Sequence, residues 1–144
     1  MRYLGLDLGT KTLGISISDE TQTIASPFTV ITFEHEQYDS LLPKIKEIID
    51  EYNVKKIVLG LPKNMNNTIG ERANTTLLFQ KKLEEYLNME VVLQDERRTT
   101  IEAHNYMLAA DMSRKKRKKK VDSLAANIIL QTYLDKERMK KNEQ

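Results

Sequence analysis

The hydrophobic period of this chain changes near residue 40, and that change restricts the folds open to it. Up to that point the pattern has a period of two. Leu4, Leu6 and Leu8 alternate with Gly5 and Asp7, Leu13 to Ser18 alternates apolar with small residues, and Ile24 to Phe33 forms a third extended run. A period of two is the signature of a strand with one face buried. The polar turn Gly9-Thr10-Lys11-Thr12 joins the first two runs as a hairpin. Pro27 puts the third strand at or near a sheet edge, because proline cannot donate to a central ladder. Beyond residue 40, Leu41, Leu42, Ile45, Ile48, Ile49 and Tyr52 recur at spacings of three and four, with Pro43 near the start, as in an amphipathic helix.

Helix-then-strand units follow. Ile57 to Leu61 reads as a buried strand added in parallel, and its end is the polar loop Pro62 to Asn67. The spacing predicts a second helix over Glu71 to Leu87, with Ala73, Thr76, Phe79, Leu83 and Tyr86 on one stripe, and then a strand over Val91 to Gln94. Thr99 and Glu102 have the spacing of a capping box for a further helix carrying Ile101, Ala103 and Met107. The last helix is expected from Val121 to about Glu137, burying Val121, Leu124, Ala125, Ile128, Leu130 and Leu134, with Asp122 in its first turn.

A chain of 144 residues suits one domain with a real core. It has no cysteine, which excludes disulfides and thiolate metal sites, so any metal is a hard one. No apolar stretch approaches a membrane span, and Asp7 falls where a signal peptide needs its apolar core, so the expected location is cytoplasmic with no membrane partner. The net charge of +2 hides an asymmetry. Arg114, Lys115, Lys116, Arg117, Lys118, Lys119 and Lys120 hold seven of the 23 basic residues, and the remaining 16 face 21 acids. Such a block repels itself unless something anionic meets it, which makes an exposed loop contacting phosphates one reading and a solvated loop the other.

Asp7 is a carboxylate in a strand that otherwise reads as buried, and burial of a charge has to be compensated. The neighbouring glycines leave its backbone open to close approach, as a metal or phosphate site requires. Further acids stand at the end of the last strand (Asp95, Glu96) and at the start of the last helix (Asp122).

The segments Asp7-Leu8-Gly9-Thr10-Lys11, Gly60-Leu61-Pro62-Lys63-Asn64-Met65, Asp95-Glu96-Arg97-Arg98-Thr99-Thr100 and Asp122 to Leu130, in this order from Leu4 to Leu134, closely resemble those of the YqgF family. Its members are described as Holliday junction resolvases and as pre-16S ribosomal RNA nucleases. The resemblance implies a ribonuclease H-like α/β fold over residues 1–138: a mixed five-stranded sheet, three antiparallel strands and then two parallel additions, flanked by helices, with 139–144 a frayed tail. Thr12 stands where the family usually has a basic residue, and Asn66-Asn67 replace a common Asp-Gly pair.

The implied activity is a metal-dependent endonuclease that processes the 5′ end of pre-16S rRNA, with branched DNA as the alternative substrate. Hydrolysing a phosphodiester needs a deprotonated water and neutralised charge on the leaving oxygen, which two divalent ions held by carboxylates supply. Mg2+ or Mn2+ on Asp7, Glu96 and Asp122 fits that chemistry, the positive end of the last helix keeping Asp122 ionised. Asp95 is the alternate to Glu96, since adjacent strand residues point to opposite faces and the sequence leaves open which face looks toward Asp7. Lys11, Lys63, Asn64, Arg97, Arg98 and the basic run are the expected nucleic-acid contacts, reading backbone and shape because aromatics are few. A junction-cutting enzyme works most simply as a homodimer, a ribosomal RNA processor as a monomer. Two other classes compete: an actin-like ATPase or sugar kinase, whose first phosphate loop resembles Asp7 to Thr12, and a noncatalytic RNA-binding assembly factor that keeps the fold as a scaffold.

Overall fold

The computed structural model describes residues 1–62, 70–95 and 114–142, with side chains in the last stretch from 123 to 140. Strands β1 (Arg2–Leu8), β2 (Thr12–Ser18) and β3 (Ala25–Thr32) are followed by a 3-10 turn at Tyr38–Ser40 and helix α1 (Leu41–Tyr52). Then come β4 (Val54–Leu61), α2 (Glu71–Leu87), β5 (Val91–Asp95) and α3 (Arg114–Asn142). The five strands form one sheet in the order β3-β2-β1-β4-β5. β1–β2 and β2–β3 are antiparallel, while β1–β4 and β4–β5 are parallel. The mixed sheet expected from the change of period is therefore the one observed, and β1, β4 and β5 end at the same edge.

Pro27 lies on the edge strand, as its missing donor requires. The pairing slips there: Ile15 faces Thr29 and Ser16 faces Pro27, leaving Phe28 as the extra residue of a bulge. α1 and α2 both stop on an asparagine in the left-handed region, Asn53 and Asn88, whose N–H groups donate to the carbonyls of Ile49 and Glu84.

The register sorts the sheet into two faces. Leu6 pairs with Ile15 on one side and Leu59 on the other, and Leu59 pairs with Leu93. These residues, with Leu4, Leu8, Leu13, Ile57 and Val91, pack against Leu41, Ile45 and Ile49 of α1 and Phe79 and Leu83 of α2. The opposite face carries Tyr3, Val58 and Val92 and packs on Ile129, Leu130 and Leu134 of α3.

Three expectations change. The helix predicted from Val121 is already helical at Arg114, the first described residue of this stretch, so the basic run expected in a loop has helical backbone, continuous with the part of α3 that packs on the sheet. Among the described side chains of α3 the buried stripe is Ala125, Ala126, Ile129, Leu130 and Leu134, whereas Leu124 and Ile128 are only partly buried, and the side chain of Val121 lies outside those described. The helix is rotated by about one position because its contact with β1 demands small residues. A Cβ on Gly5 would lie 2.7 Å from Leu130 Cβ and 2.9 Å from the Ala126 carbonyl oxygen. Finally, Tyr86 is 47% exposed and does not complete the α2 stripe. The helix expected after Thr99 lies outside the described residues.

Candidate functional site

Asp7 occupies the α3 face of β1, near the edge where the three parallel strands end. It is half-buried and faces Gly14 across the antiparallel pair. One step beyond the Leu6–Leu59 pair, Gly60 lies on its other side, and Gly60 pairs with Gln94. A row Gly14, Asp7, Gly60, Gln94 thus crosses four strands, with no side chain on either immediate neighbour of the carboxylate. Flanking glycines leave the backbone beside a carboxylate open to close approach, as a metal or phosphate site requires. Gln94 closes the row with a buried amide, 7% exposed.

α3 runs antiparallel to β1 over this face. Tyr133 lies 6.2 Å from Tyr3, centroid to centroid, at the start of β1, and further along Ser16 Oγ donates to the Ala126 carbonyl at 2.8 Å beside Gly5. From Gly5 to Asp7 the strand advances by about 7 Å. From Ala126 back to position 122 the helix recedes by about 6 Å, so the backbone of Asp122 comes level with Asp7. Asp122 is nevertheless not at a helix start, as the sequence pattern has it. It lies eight positions after Arg114, and the field of a helix terminus is spent within the first turn.

The register also places Asp95, the last residue of β5. Asp95 pairs with Leu61, two residues on from the Leu59–Leu93 pair, and so lies on the α1/α2 face, away from Asp7. Even-numbered positions of β5 share the face of Asp7. Glu96, Arg97, Arg98, Lys63 and Asn64 lie outside the described residues, as do the side chains of Arg114 to Lys120 and of Asp122. Among the described residues, no three His, Cys, Asp or Glu side chains gather as a metal set. The donors expected around Asp7 are all carboxylates, a hard oxygen set that suits Mg2+ or Mn2+.

Lys11 sits exposed in the β1–β2 turn, with its backbone fixed. The Gly9 N–H donates to the Thr12 carbonyl at 2.8 Å, and the Lys11 carbonyl accepts from Phe33 N at 2.9 Å. Sequence reasoning missed Arg72. Its Nη2 donates at 3.1 Å to the carbonyl of Leu8, bracing the last residue of β1 from the first turn of α2. The available signal was a cation in the first turn of a helix, where the dipole disfavours it.

A family model described as "RuvX: Holliday junction resolvase" matches residues 1–136. A relative from Geobacillus kaustophilus named "Putative pre-16S rRNA nuclease" is 51% identical over 138 residues, covering 96% of this chain and all of that one. One of the same name from Bacillus subtilis is 50% identical over 135 residues, 94% of this chain and 98% of the relative. Among solved structures, Thermus thermophilus RuvC in complex with a Holliday junction substrate superposes with a TM-score of 0.60 at 11% identity, over 96% of each chain. The fowlpox virus resolvase with Holliday junction DNA gives 0.54 at 14% identity, over 94% of this chain and 98% of that one. At these identities the two structures attest the fold, which is the ribonuclease H-like fold of RuvC.

Proposed function

The chain belongs to the RuvX family, the YqgF family of the sequence resemblance, and on that premise we propose that it is a nuclease hydrolysing phosphodiester bonds in structured nucleic acid, with the 5′ end of pre-16S rRNA as its substrate. The observation that carries the chemistry is a half-buried Asp7 between two glycines, with the backbone of α3 level with it at position 122. Asp7, Glu96 and Asp122 would hold Mg2+ or Mn2+, which when bound lowers the pKa of an attacking water and offsets charge on the leaving oxygen. The parity of β5 supports Glu96 over Asp95, because Asp95 belongs to the other face. The chain's own part is to carry Asp7 on a strand and position 122 on a helix, so that these backbones lose little freedom when the substrate arrives.

Lys11, Lys63, Asn64, Arg97, Arg98 and the run Arg114 to Lys120 are proposed to hold the phosphate backbone. A run that starts a helix packed on β1 is tied to the site more firmly than a loop would be. Such contacts position the strand without reading sequence. Among the described residues no helix is long and apolar enough to cross a membrane, and the proposed substrate is found in the cytoplasm.

The family description favours branched DNA as the second reading, and with it a dimer that brings two sites to one junction. Both are tested together. Purified protein is incubated with Mn2+ and either a precursor rRNA leader or a four-way DNA junction, beside the Asp7→Asn protein, whose thermal midpoint is expected to match the parent. Cutting of the leader that disappears in Asp7→Asn is the expected result. Symmetric cutting of the junction alone transfers the assignment to a resolvase, and an Asp7→Asn protein that cuts as well as the parent removes Asp7 from the chemistry.

A further inference from the structure

A cavity of about 280 Å3 lies on the side of the β1–β2 turn away from Asp7, bounded by Gly9 and Thr10, by Arg72 and Thr75 of α2, and by Glu36 and Tyr38 of the turn before α1. It adjoins a second hollow of about 310 Å3 that shares Glu36, Tyr38 and Thr75 with it. Three observations define what it can take. Tyr38 is a braced aromatic surface, its ring centroid 5.5 Å from that of Phe33 and 6.3 Å from that of Phe79. Arg72 spends one donor on Leu8 and is a neighbour of the cavity with a five-donor fork. Glu36 holds φ at 65° inside a tight turn closed by Gln37 N to the Glu34 carbonyl at 2.9 Å, a conformation for which glycine or asparagine is the ordinary residue.

The lining argues against a phosphate. Glu36 and Glu71 both border the cavity, with the Arg72 guanidinium and the His35 imidazole, whose Nε2 lies 3.5 Å from Glu36 Oε1, as the basic groups beside them, so a dianion would meet two carboxylates. A neutral, flat ligand with donors on one edge and acceptors on another suits it better. We propose that this cavity receives an unpaired guanine base of the nucleic-acid substrate, stacked on Tyr38, with the Glu36 carboxylate accepting from N1–H and N2–H and Arg72 donating to O6 or N7. Adenine would turn the lone pair of its N1 toward the same carboxylate, and uracil, which offers N3–H and O4, would lack both the second donor to Glu36 and the N7 acceptor for Arg72. The cavity begins at Leu8, the residue after Asp7, so a nucleotide whose phosphate lies at Asp7 has its neighbour within reach of it. The inference rests on the nucleic-acid reading above for the source of the base and not for the cleavage chemistry.

The test is an amide-resonance titration of the full chain, without divalent metal, with GMP, IMP, AMP, UMP and inorganic phosphate. GMP is expected to shift residues 9–10, 36–38 and 72–76 and to bind about tenfold more tightly than AMP or UMP, the discrimination one good bidentate contact supplies, with IMP between them. Glu36→Gly removes the carboxylate and relieves the left-handed backbone, so its thermal midpoint should equal or exceed the parent's while the preference for GMP disappears. Equal binding of all four nucleotides and phosphate overturns the proposal in favour of an anion site. Shifts elsewhere, no shifts, or a Glu36→Gly protein that still prefers GMP overturn it outright. Cleavage assays stand apart from these outcomes: a parent protein that cuts but shows no GMP selectivity discards the guanine pocket alone, and selective GMP binding by a parent protein that does not cut supports the pocket while the nuclease reading falls.

Discussion

The two faces of this one sheet are built from different materials. The α1/α2 face is a layer of leucine, isoleucine and phenylalanine, with Leu4, Leu6, Leu13, Ile15, Ile45, Ile57 and Leu59 fully excluded from solvent. The α3 face joins a smaller apolar cluster around Tyr3, Val58, Ile129, Leu130 and Leu134 to small and polar groups: Gly5, Ser16, Ser18, Ala125 and Ala126 bring helix and strand together closely enough for Ser16 Oγ to reach a helix carbonyl. Large side chains give stability and tolerate adjustment, whereas small ones fix distances. The proposed chemistry sits on the face whose distances are fixed.

That division can be broken by experiment. Ile45→Ala, deep in the first face, should cost about 2–5 kcal/mol in denaturant unfolding and leave cleavage per folded molecule unchanged. A proportionate loss of turnover would show that the faces are not independent. Gly5→Ala is expected to cost about 1–3 kcal/mol, less than the first change, and to reduce cleavage far more, because the new methyl meets Ser16 Oγ at 2.3 Å and the Ala126 carbonyl at 2.9 Å and lifts α3 away from Asp7. Retained turnover would mean that the spacing of α3 does not matter. Ser16→Ala removes one buried hydrogen bond and should cost about 1 kcal/mol, with a smaller loss of rate than Gly5→Ala.

The smallest effect is expected at the rim of the α3 face. Asp19 accepts from the hydroxyl of Thr21 and from the N–H groups of Ile24 and Thr23, and these bonds hold its carboxyl well below the usual carboxylate range. A depressed pKa contributes stability above the unfolded value of 3.8 that is lost as pH falls through the folded one. Below about pH 4 the β2–β3 turn should loosen, and with it the bonds from Gln131 of α3 to Thr23 and Ala25. Amide exchange at Ala25 should therefore accelerate with acid before exchange at Ile57 does, and Asp19→Asn should abolish that difference. Simultaneous loss of protection at both would indicate that the rim has no separate weakness.

Much of this was legible in the chain. The change of period near residue 40 separates hairpin from helix-strand units, and the ends of α2 and β1 fall where the pattern places them. Asp7 announces itself as a charge in an apolar strand. Arg72 was not legible as a brace, because its contact with Leu8 spans 64 residues. The guanine pocket was equally hidden, since Tyr38 and Arg72 carry no joint motif and meet only when α2 packs beside the turn before α1.

What the sequence determined by itself is local: which segments are strands or helices, in what order, and which residues of one strand share a face, because a backbone with a period of two or 3.6 sorts its own side chains. What the tertiary structure alone decided is relative. Which face Asp95 takes cannot be read within its own strand, and only its pairing with Leu61 puts it on the face opposite Asp7's. The rotation of α3 likewise follows from the close approach at Gly5, a contact between residues more than a hundred positions apart that no local period encodes.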